Sequence, residues 1–311
     1  MSDPQNASSP PDLTRNQVLL GDNLEWAARL PDACAQLIYL DPPFNTGKRQ
    51  RRLQQRAARD DSGAGRPAFG GKAYFVEVFG EQAYEDRFDD YLAFLASRFE
   101  AARRLLKPEG SFFVHLDYRE VHYAKVLLDG LFGRNCFQNE LIWAYDYGAR
   151  SKLRWSTKHE TILWYTGKPK GYVFHFDAMD RIPYMAPGLV GKEKAARGKT
   201  PTDVWWHTIV SPTGAEKTGY PSQKPLGVLE RLVKVHSSPG DLCLDLFAGS
   251  GTLGEAAARH GRRFCLVDEN PEAARVMRER LAPWLAEVPG VPGGSDGAPE
   301  ASQGPSGAPG T

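Results

Sequence analysis

Short apolar runs alternate with stretches of helical periodicity along most of this chain. Apolar residues recur at helical spacing over residues 88–106, and further stretches of helical character cover residues 120–131, 252–260 and 271–286. Compact apolar runs, which predict buried strands, occupy residues 36–40, 111–116, 241–246 and 263–267. Strands that alternate with helices in this way are typical of an α/β protein with a mostly parallel sheet.

The middle of the chain departs from this alternation. Residues 139–143 and 161–165 predict two further strands, arranged as an antiparallel pair. From residue 167 to residue 217 the periodicity is lost, and Gly, Pro and Lys become frequent around the cluster Trp205-Trp206-His207. This interval therefore predicts an inserted, irregular region, and a surface insertion anchored by one tryptophan is its simplest structural interpretation.

The two ends of the chain are rich in Pro, Gly, Ser and Ala, which predicts disordered tails at residues 1–14 and 287–311. Between them, residues 15–286 predict one domain with three parts, at residues 15–166, 167–217 and 218–286. The 311 residues are 41% hydrophobic and 25% charged, as in ordinary soluble globular proteins. No signal peptide and no bilayer-spanning apolar run is evident, so we expect a cytoplasmic protein without a membrane partner.

The net charge of +1 argues mildly against a nucleic-acid partner, but the distribution of charge matters more. A basic run follows residue 45 and leads into a glycine-rich stretch. Its cationic residues are Lys48, Arg49, Arg51, Arg52, Arg56 and Arg59. We predict a phosphate-contacting loop at about residues 45–78. A solvated helix followed by a linker is the alternative.

A glycine-rich loop follows the predicted strand 241–246, with the sequence Phe247-Ala248-Gly249-Ser250-Gly251-Thr252. Glycines let the backbone approach a ligand closely, and the following helix offers free N–H groups, so a nucleotide-like cofactor is expected here. Residues 249–254 also satisfy the dinucleotide fingerprint, with Asp268 at the expected ribose position. The sequence ends too soon after this point for the further strand–helix units of a dehydrogenase, which disfavours that alternative.

A second motif, Asp41-Pro42-Pro43-Phe44, follows the predicted strand 36–40. The Asp41 carboxylate and the Pro42 carbonyl are hydrogen-bond acceptors that two prolines would hold in place. The Phe44 ring offers a stacking face. Asp-Pro-Pro is also a common turn, but its pairing with the glycine-rich loop favours a functional role.

Together these motifs resemble the beta class of amino-group DNA methyltransferases, in which the catalytic half precedes the cofactor half. Further matches are Gly21-Asp22-Asn23, residues 158–165 (KHETILWY) and residues 218–226 (TGYPSQKPL), with Ser222 where relatives often carry Thr. The resemblance covers about residues 17–286. It implies a circularly permuted Rossmann-like methyltransferase fold, with a mostly parallel sheet, an antiparallel hairpin at one edge and target recognition in residues 167–217.

The resemblance also implies S-adenosylmethionine as cofactor and roles for individual residues. Asp41, Pro42, Pro43 and Phe44 would form the catalytic motif. The implied cofactor contacts are Asp22 near the adenine amine, Lys224 and Pro225 near the methionine end, Asp245 at the ammonium group, Asp268 at the ribose, and Phe247, Ala248, Gly249, Ser250, Gly251 and Thr252 around the methionine. The expected DNA contacts are Lys48, Arg49, Arg51, Arg52, Lys152, Arg154 and Lys158.

The predicted reaction is methylation of the adenine N6 amine in duplex DNA after the base is flipped out. Aspartate at the first motif position is usual for adenine enzymes of the family. Cytosine N4 is the alternative target, RNA is a weaker one, and a non-enzymatic DNA-binding module is the rival of another class. Cytosine C5 chemistry is disfavoured because no Pro-Cys dipeptide occurs.

Other expectations concern metals and partners. His159-Glu160 begins like a zinc-protease motif, but Leu163 stands where the second histidine would be, so no metal is expected. A homodimer and a cognate restriction endonuclease are left open as partners besides double-stranded DNA. His115 and Asp117 follow the strand 111–116 and border the expected site, although a histidine satisfied by local hydrogen bonds is the simpler interpretation.

Overall fold

The computed structural model describes residues 10–45, 48–60, 66–67, 73–86, 90–148, 150–211 and 214–285, with only the backbone described between residues 48 and 86. Most of the two tails predicted to be disordered, residues 1–9 and 286–311, therefore lies outside the described residues, as does part of the predicted basic loop. Among the residues described, no helix is long and apolar enough to cross a membrane.

The strands form one large and one small sheet. In chain order they are β1 Gln17–Leu20, β2 Ala35–Leu40, β3 Lys48–Asp60, β4 Arg66–Pro67, β5 Ala73–Asp86, β6 Leu106–Leu116, β7 Phe137–Ala144, β8 His159–Thr166, β9 Val204–Trp206, β10 Leu242–Asp245 and β11 Arg263–Asp268. The large sheet has eight strands in the order β1-β11-β10-β2-β6-β8-β7-β9. Its pairs are parallel except at β8, which is antiparallel to both β6 and β7.

Helices cover both faces of the large sheet. They are α1 Asn23–Arg29, α2 Tyr91–Leu105, α3 Val121–Phe132, α4 Lys192–Arg197, α5 Leu226–His236, α6 Thr252–Arg259 and α7 Pro271–Leu285. Side chains alternate across each strand, so Ile38 and Leu40 of β2 join the core under α1, α2 and α3. Leu37 and Tyr39 join the opposite core with α5, α6 and α7. Strands buried on both faces explain the compact apolar runs of the sequence.

The order of the strands in the sheet explains how the two motifs meet. Although β10 comes late in the chain, it lies between β11 and β2, with Asp245 in register with Tyr39. The carboxyl ends of parallel strands face one edge of the sheet, so the end of β10 and the end of β2 are neighbours there. The predicted α/β fold with a permuted, mostly parallel sheet is confirmed.

The antiparallel pair predicted at residues 139–143 and 161–165 is confirmed as β7 and β8. The hairpin is not the outermost element, because β9 adds to β7 in parallel from within the interval predicted to be irregular. Three residues of β-branched and aromatic character, Val204, Trp205 and Trp206, are enough for this edge strand.

The basic segment differs from the predicted loop, because residues 48–60 form β3, which pairs antiparallel with β5. The register sets Lys48 opposite Asp86, Arg49 opposite Glu85 and Arg56 opposite Glu77. Opposite charges across antiparallel strands favour pairing, and backbone hydrogen bonds are then satisfied within the ribbon. The basic run by itself gives no sign of the acidic residues of β5, which lie about 20 to 40 positions further along the chain.

Candidate active site

A cavity of about 540 Å³ opens at the carboxyl ends of β2 and β10, and we call it the inner cavity. Most of the predicted catalytic and cofactor residues line it: Asp41, Pro42, Pro43, Phe44, Lys224, Asp245, Phe247, Gly249, Ser250, Thr252 and Asp268. Four other predicted residues do not line it: Asp22, Pro225, Ala248 and Gly251. Its volume is in the range of sites for nucleotide-sized ligands, about 300–1,000 Å³.

Of the four residues that do not line the inner cavity, Asp22 has a structural role at the start of α1. Asp22 caps α1 by accepting hydrogen bonds from the backbone N–H groups of Leu24 and Glu25. The next residue, Asn23, lines the cavity instead. Its Nδ2 donates to the carbonyl of Leu246, while its buried Oδ1 has no hydrogen-bond partner in the described part of the chain. A buried acceptor without a partner is costly, so a donor on a bound ligand would fit there.

The glycine-rich loop is held by Asp268, at the end of β11. Its Oδ2 accepts a hydrogen bond of 2.8 Å from the backbone N–H of Gly249, and its Oδ1 accepts one of 2.9 Å from Asn270. Gly251 has φ +75°, and a Cβ there would lie 2.9 Å from Met277 Cγ. Glycine is therefore required both by the backbone and by the close packing of α7. Each carboxylate oxygen of Asp268 has capacity for a further donor.

Arg280 of α7 braces the same loop and was not predicted. Its guanidinium donates to the Ser250 carbonyl at 3.2 Å and to Thr252 Oγ1 at 3.0 Å, and it pairs with Glu255. Arg280 belongs to no local motif, so only the packing of α7 against α6 shows its role. The loop is thus a preformed structure with side-chain supports on two sides.

Asp245 is buried at the floor of the inner cavity. Its Oδ1 accepts a hydrogen bond of 2.9 Å from the backbone N–H of Phe247. Burial raises the pKa of Asp245 well above its ordinary value, and this hydrogen bond offsets the effect only in part. No described cationic side chain lies within 4 Å of its carboxylate. A cationic ligand group would therefore be the natural partner of this carboxylate.

Asp41 lies at the end of β2 beside Lys224, which precedes α5. Lys224 Nζ lies 2.7 Å from Asp41 Oδ2 and 3.5 Å from Glu160 Oε2. Burial would lower the pKa of Lys224, but the two carboxylates together raise it above its ordinary value. The other oxygen, Asp41 Oδ1, is buried and has no hydrogen-bond partner among the described residues. The lysine thus fixes one oxygen of Asp41 and leaves the other as an acceptor.

Glu160, at the start of β8, connects Lys224 to a buried network that sequence reasoning missed. Burial would raise the pKa of Glu160, but Lys224, together with contacts to His115 and Tyr145, holds it at about 2. His115 Nε2 lies 2.9 Å from Glu160 Oε2, and its Nδ1 lies 2.6 Å from the Tyr39 hydroxyl. His115 is therefore part of the site, held through Nδ1 by Tyr39 and in contact through Nε2 with Glu160. Residues 158–165, which resemble the family, include Glu160, but nothing in that stretch predicts its contacts with Lys224 and His115.

Further contacts hold the catalytic motif in place. The Tyr91 hydroxyl donates a hydrogen bond of 2.5 Å to the Pro43 carbonyl. Lys224 Nζ lies 4.9 Å from the centroid of the Phe44 ring, and the His115 ring lies 6.4 Å from it at a tilt of 43°. The motif therefore has a fixed backbone, and one face of Phe44 has polar neighbours.

Phe44 also lines a second cavity of about 520 Å³, which we call the outer cavity. Its other walls are Asp117, Tyr118, Tyr145, Tyr147, Gly148, Arg150, Ser151, Arg154, Ser156, Thr157, His159, Glu160 and Ile209. The inner and outer cavities thus share one residue of the catalytic motif. A ligand group in each could meet at Phe44.

The residues predicted to contact DNA fall into two groups. Lys48, Arg49, Arg51 and Arg52 belong to β3, where the side chains lie outside the description. Lys152 and Arg154 are exposed on the loop between β7 and β8, at the outer cavity. Lys158 closes that loop, because its Nζ donates hydrogen bonds of 2.8 and 3.3 Å to the carbonyls of Tyr147 and Gly148.

Comparison with known proteins identifies the family to which this chain belongs. A family model described as DNA methylase matches residues 35–279. The type II methyltransferase M.HpaI of Haemophilus parainfluenzae is 27% identical over 265 residues, which are 85% of this chain and 74% of that protein. The DNA adenine methyltransferase YhdJ of Escherichia coli K12 is 26% identical over 277 residues, which are 85% of this chain and 82% of that protein.

Solved structures agree on the fold. The M1.HpyAVI–SAM complex superposes with a TM-score of 0.54 and 21% identity, over 85% of this chain and 98% of that one. The cytosine-N4-specific PvuII DNA methyltransferase superposes with a TM-score of 0.58 and 16% identity, over 88% of this chain and 89% of that one. The cofactor predicted from the sequence, S-adenosylmethionine, is confirmed at the level of the family. The chain belongs to the DNA methylases that modify the N6 amine of adenine or the N4 amine of cytosine.

Proposed function

We propose that this enzyme transfers the methyl group of S-adenosylmethionine to the N6 amine of adenine in duplex DNA, at a specific site. The observation that carries the proposal is the Asp41 carboxylate, which has one oxygen fixed by Lys224 and the other buried without a partner among the described residues. This free acceptor belongs to a residue that lines the inner cavity, three positions before Phe44, which lines both cavities. Aspartate at this position and the similarity to YhdJ support adenine as the target.

The inner cavity suits the cofactor residue by residue. Asp245 would pair with the ammonium group, Asp268 would accept the ribose hydroxyls, and the loop from Phe247 to Thr252 would surround the methionine end. Asn23, rather than the helix cap Asp22, has an acceptor directed to the cavity. When bound there, the cofactor supplies an electrophilic methyl group.

The residues of the chain act mainly on the target amine. Its lone pair is delocalised into the base, so it must be drawn toward a tetrahedral geometry before it attacks. Asp41 Oδ1 would accept one N–H bond and the Pro42 carbonyl the other. Methyl transfer would place positive charge on the nitrogen, and the Asp41 carboxylate beside it would stabilise that charge. The amine would then lose one proton, which Asp41 Oδ1 would accept.

Lys224 and Glu160 would position this acceptor. Lys224 holds Asp41 Oδ2, which prevents the carboxylate from rotating away from the amine. Glu160 stays ionised because its pKa is about 2, and it balances the buried charge of Lys224. Two carboxylates around one ammonium group keep the lysine in place. Phe44 would stack on the flipped base in the outer cavity.

Cytosine N4 methylation is the second candidate. The cytosine-N4-specific PvuII enzyme supports it through its similar fold. The exocyclic amines of adenine and cytosine have similar geometry, so the same two acceptors would serve both. The first motif residue, Asp41, favours adenine within this family.

The remaining assignments concern recognition and partners. Target recognition is assigned to residues 167–217, which contribute the edge strand β9 and a largely irregular surface. M.HpaI and M.BglII are named type II methyltransferases, which supports a role beside a restriction endonuclease that cuts the unmethylated site.

Nucleoside mass spectrometry tests the proposal directly. Unmethylated genomic DNA is incubated with the protein and methyl-labelled S-adenosylmethionine, then digested to nucleosides. Labelled N6-methyladenine is the expected product. Labelled N4-methylcytosine in its place would mean that cytosine, not adenine, is the target base. If the protein binds the cofactor but labels no DNA nucleoside, DNA methylation is excluded, and labelled RNA in a parallel reaction would identify the acceptor.

A further inference from the structure

The loop between β7 and β8, residues 145–158, presents two large apolar side chains to solvent. Leu153 is 98% exposed and Trp155 is 96% exposed. Isolated apolar residues on a surface are common, but a nearly fully exposed tryptophan beside an exposed leucine at a loop tip is not. An exposed apolar tip of this kind is stabilised when a binding partner buries it, so it marks an interaction site.

The backbone of this loop is held by specific hydrogen bonds. At its base the Tyr145 N–H donates to the Lys158 carbonyl at 3.0 Å. At its tip Ser151 Oγ accepts hydrogen bonds of 3.2 Å from the N–H groups of both Leu153 and Arg154. The Ser151 N–H also donates to Ser156 Oγ at 3.0 Å. The exposed side chains are therefore carried on a defined turn rather than on an unsupported strand of chain.

Charge identifies the surface that would cover the tip. Arg150, Lys152 and Arg154 lie on the same loop, and all three are exposed. The loop's acidic residue, Asp146, lies 3.7 Å from Lys158 at the base, away from the tip. A tip that combines cations with apolar groups suits a polyanion with stacked apolar rings in its interior, which is the chemistry of duplex DNA.

The position of the loop relates it to base flipping. Tyr147, Arg150 and Arg154 of this loop line the outer cavity together with Phe44. The Arg154 guanidinium lies 5.9 Å from the centroid of the Tyr118 ring, which joins the loop to the segment after β6. A base that enters the outer cavity from a duplex leaves a gap in the stack immediately outside this loop.

We propose that Trp155, with Leu153 beside it, inserts into the duplex at the gap left by the flipped target base. Arg150, Lys152 and Arg154 contact the flanking phosphates. The inference rests on the proposed function, because a flipped target base is required. Apolar wedges between base steps compensate for lost stacking, and an aromatic ring can stack on the neighbouring bases. The wedge would then lower the cost of holding the base in the outer cavity.

The test compares two duplexes that contain the site methylated by the wild-type enzyme. In one the target base is paired, and in the other it faces a mismatch, so that flipping is already less costly. For Trp155→Ala we expect kcat/KM on the paired duplex to fall about tenfold or more, the size of one lost stacking contact. On the mismatched duplex we expect a much smaller loss. Trp155→Phe keeps an aromatic wedge and should retain most of the activity.

The matched control is Val126→Ala, which removes an exposed apolar side chain from α3, where Val126 is 72% exposed. This variant should keep the wild-type kcat/KM on both the paired and the mismatched duplex. A second measurement follows flipping without methyl transfer, through the fluorescence of 2-aminopurine placed at the target position. Wild-type enzyme should increase this fluorescence, and Trp155→Ala should reduce the increase while leaving S-adenosylmethionine affinity unchanged.

Two outcomes would overturn the inference. Equal losses on paired and mismatched duplexes would mean that the loop only strengthens DNA binding, and no loss on either would exclude the wedge. Failure of the proposed function looks different, since wild-type enzyme would then label no DNA. Binding measured by fluorescence anisotropy gives a readout that needs no methyl transfer: Trp155→Ala should weaken binding to the paired duplex more than binding to the mismatched duplex, and equal weakening of both would reject insertion.

Discussion

The inner and outer cavities share Phe44 and have nearly equal volumes, about 540 and 520 Å³, yet their walls are built differently. The inner wall includes the ends of three strands and the start of α6, and buried groups such as Asp245, Ser250 and Thr252 are fixed there by hydrogen bonds. The outer wall is largely a surface loop, with exposed residues such as Tyr147, Arg150 and Arg154.

This difference matches what each cavity would hold. A small cofactor of constant shape is bound best by preorganised groups, because little ordering remains to be done on binding. Duplex DNA binds at the surface of a protein, through contacts to its phosphates, and is deformed there. An exposed, cationic loop suits this kind of binding. Phe44 lies at the boundary of the two cavities, and in the proposed mechanism Asp41, three residues before it, would act on the target base.

The largest effect is expected at that boundary. Asp41→Ala removes the acceptor of the target amine, so methyl transfer should fall by about a thousandfold, the upper range for loss of one preorganised polar group. S-adenosylmethionine affinity should change little, because Asp245 and Asp268 remain. Methyl transfer to DNA and cofactor binding by calorimetry are measured in parallel.

The control is Asp32→Ala, an exposed carboxylate near the opposite end of β2. It should leave both measurements unchanged. If Asp41→Ala keeps full activity, the catalytic assignment is wrong, and if it loses cofactor binding equally, Asp41 belongs to the inner cavity alone.

The next effect concerns the floor of the inner cavity. Asp245→Asn removes the proposed partner of the cofactor ammonium, so affinity should weaken roughly 10- to 100-fold, the size of a hydrogen bond to a charged group. The same change should raise the melting temperature of the cofactor-free protein near neutral pH, because it removes a buried charge. Unchanged affinity together with a lower melting temperature would contradict this role.

The pH dependence follows from the raised pKa of Asp245, which burial causes. The folded protein binds this proton more tightly than the unfolded chain, so the group's contribution to the free energy of unfolding falls as pH rises from the unfolded pKa toward the folded one. A cationic ligand favours the ionised form, so cofactor affinity should increase over the same range. Calorimetric titrations across pH should show this increase in the wild type and not in Asp245→Asn.

A smaller effect tests how tightly the inner wall is packed. A Cβ on Gly254 of α6 would lie 2.6 Å from Leu266 Cδ1, so Gly254→Ala should destabilise the fold by about 1–3 kcal/mol. Gly130 of α3 is the matched helical control, because a Cβ there would meet nothing within 4 Å. Gly130→Ala should instead stabilise by about 0.5–1 kcal/mol. Equal melting temperatures of the two variants would contradict close packing under the cofactor loop.

The smallest effect is expected at the outer wall. Arg154→Gln should reduce the slope of DNA affinity against salt concentration by about one, as for a single lost phosphate contact. It should leave cofactor affinity unchanged. Arg278→Gln, on the exposed face of α7, is the control and should keep the wild-type slope. Identical slopes for all three proteins would place Arg154 outside the DNA interface.

The sequence by itself determined six strands of the large sheet, four of the helices and the two motifs, because these are local properties. Buried parallel strands appear as continuous apolar runs, and a glycine loop at a strand end needs residues such as Gly249 and Gly251 within a few positions. The order of the motifs also indicated the permuted family. The position of Asp41 directly after a buried strand was therefore predictable from the sequence.

Only the tertiary structure decided which residues surround Asp41. Glu160 starts β8, and because β8 runs antiparallel to β6, its first residues lie at the edge where β2 ends. His115 lies at the end of β6 and Lys224 in the segment before α5, so three distant parts of the chain form one network of contacts that ends at Asp41. Arg280 likewise reaches the cofactor loop only because α7 packs against α6. Periodicity and motifs describe neighbours along the chain, whereas buried charges are balanced by neighbours in space.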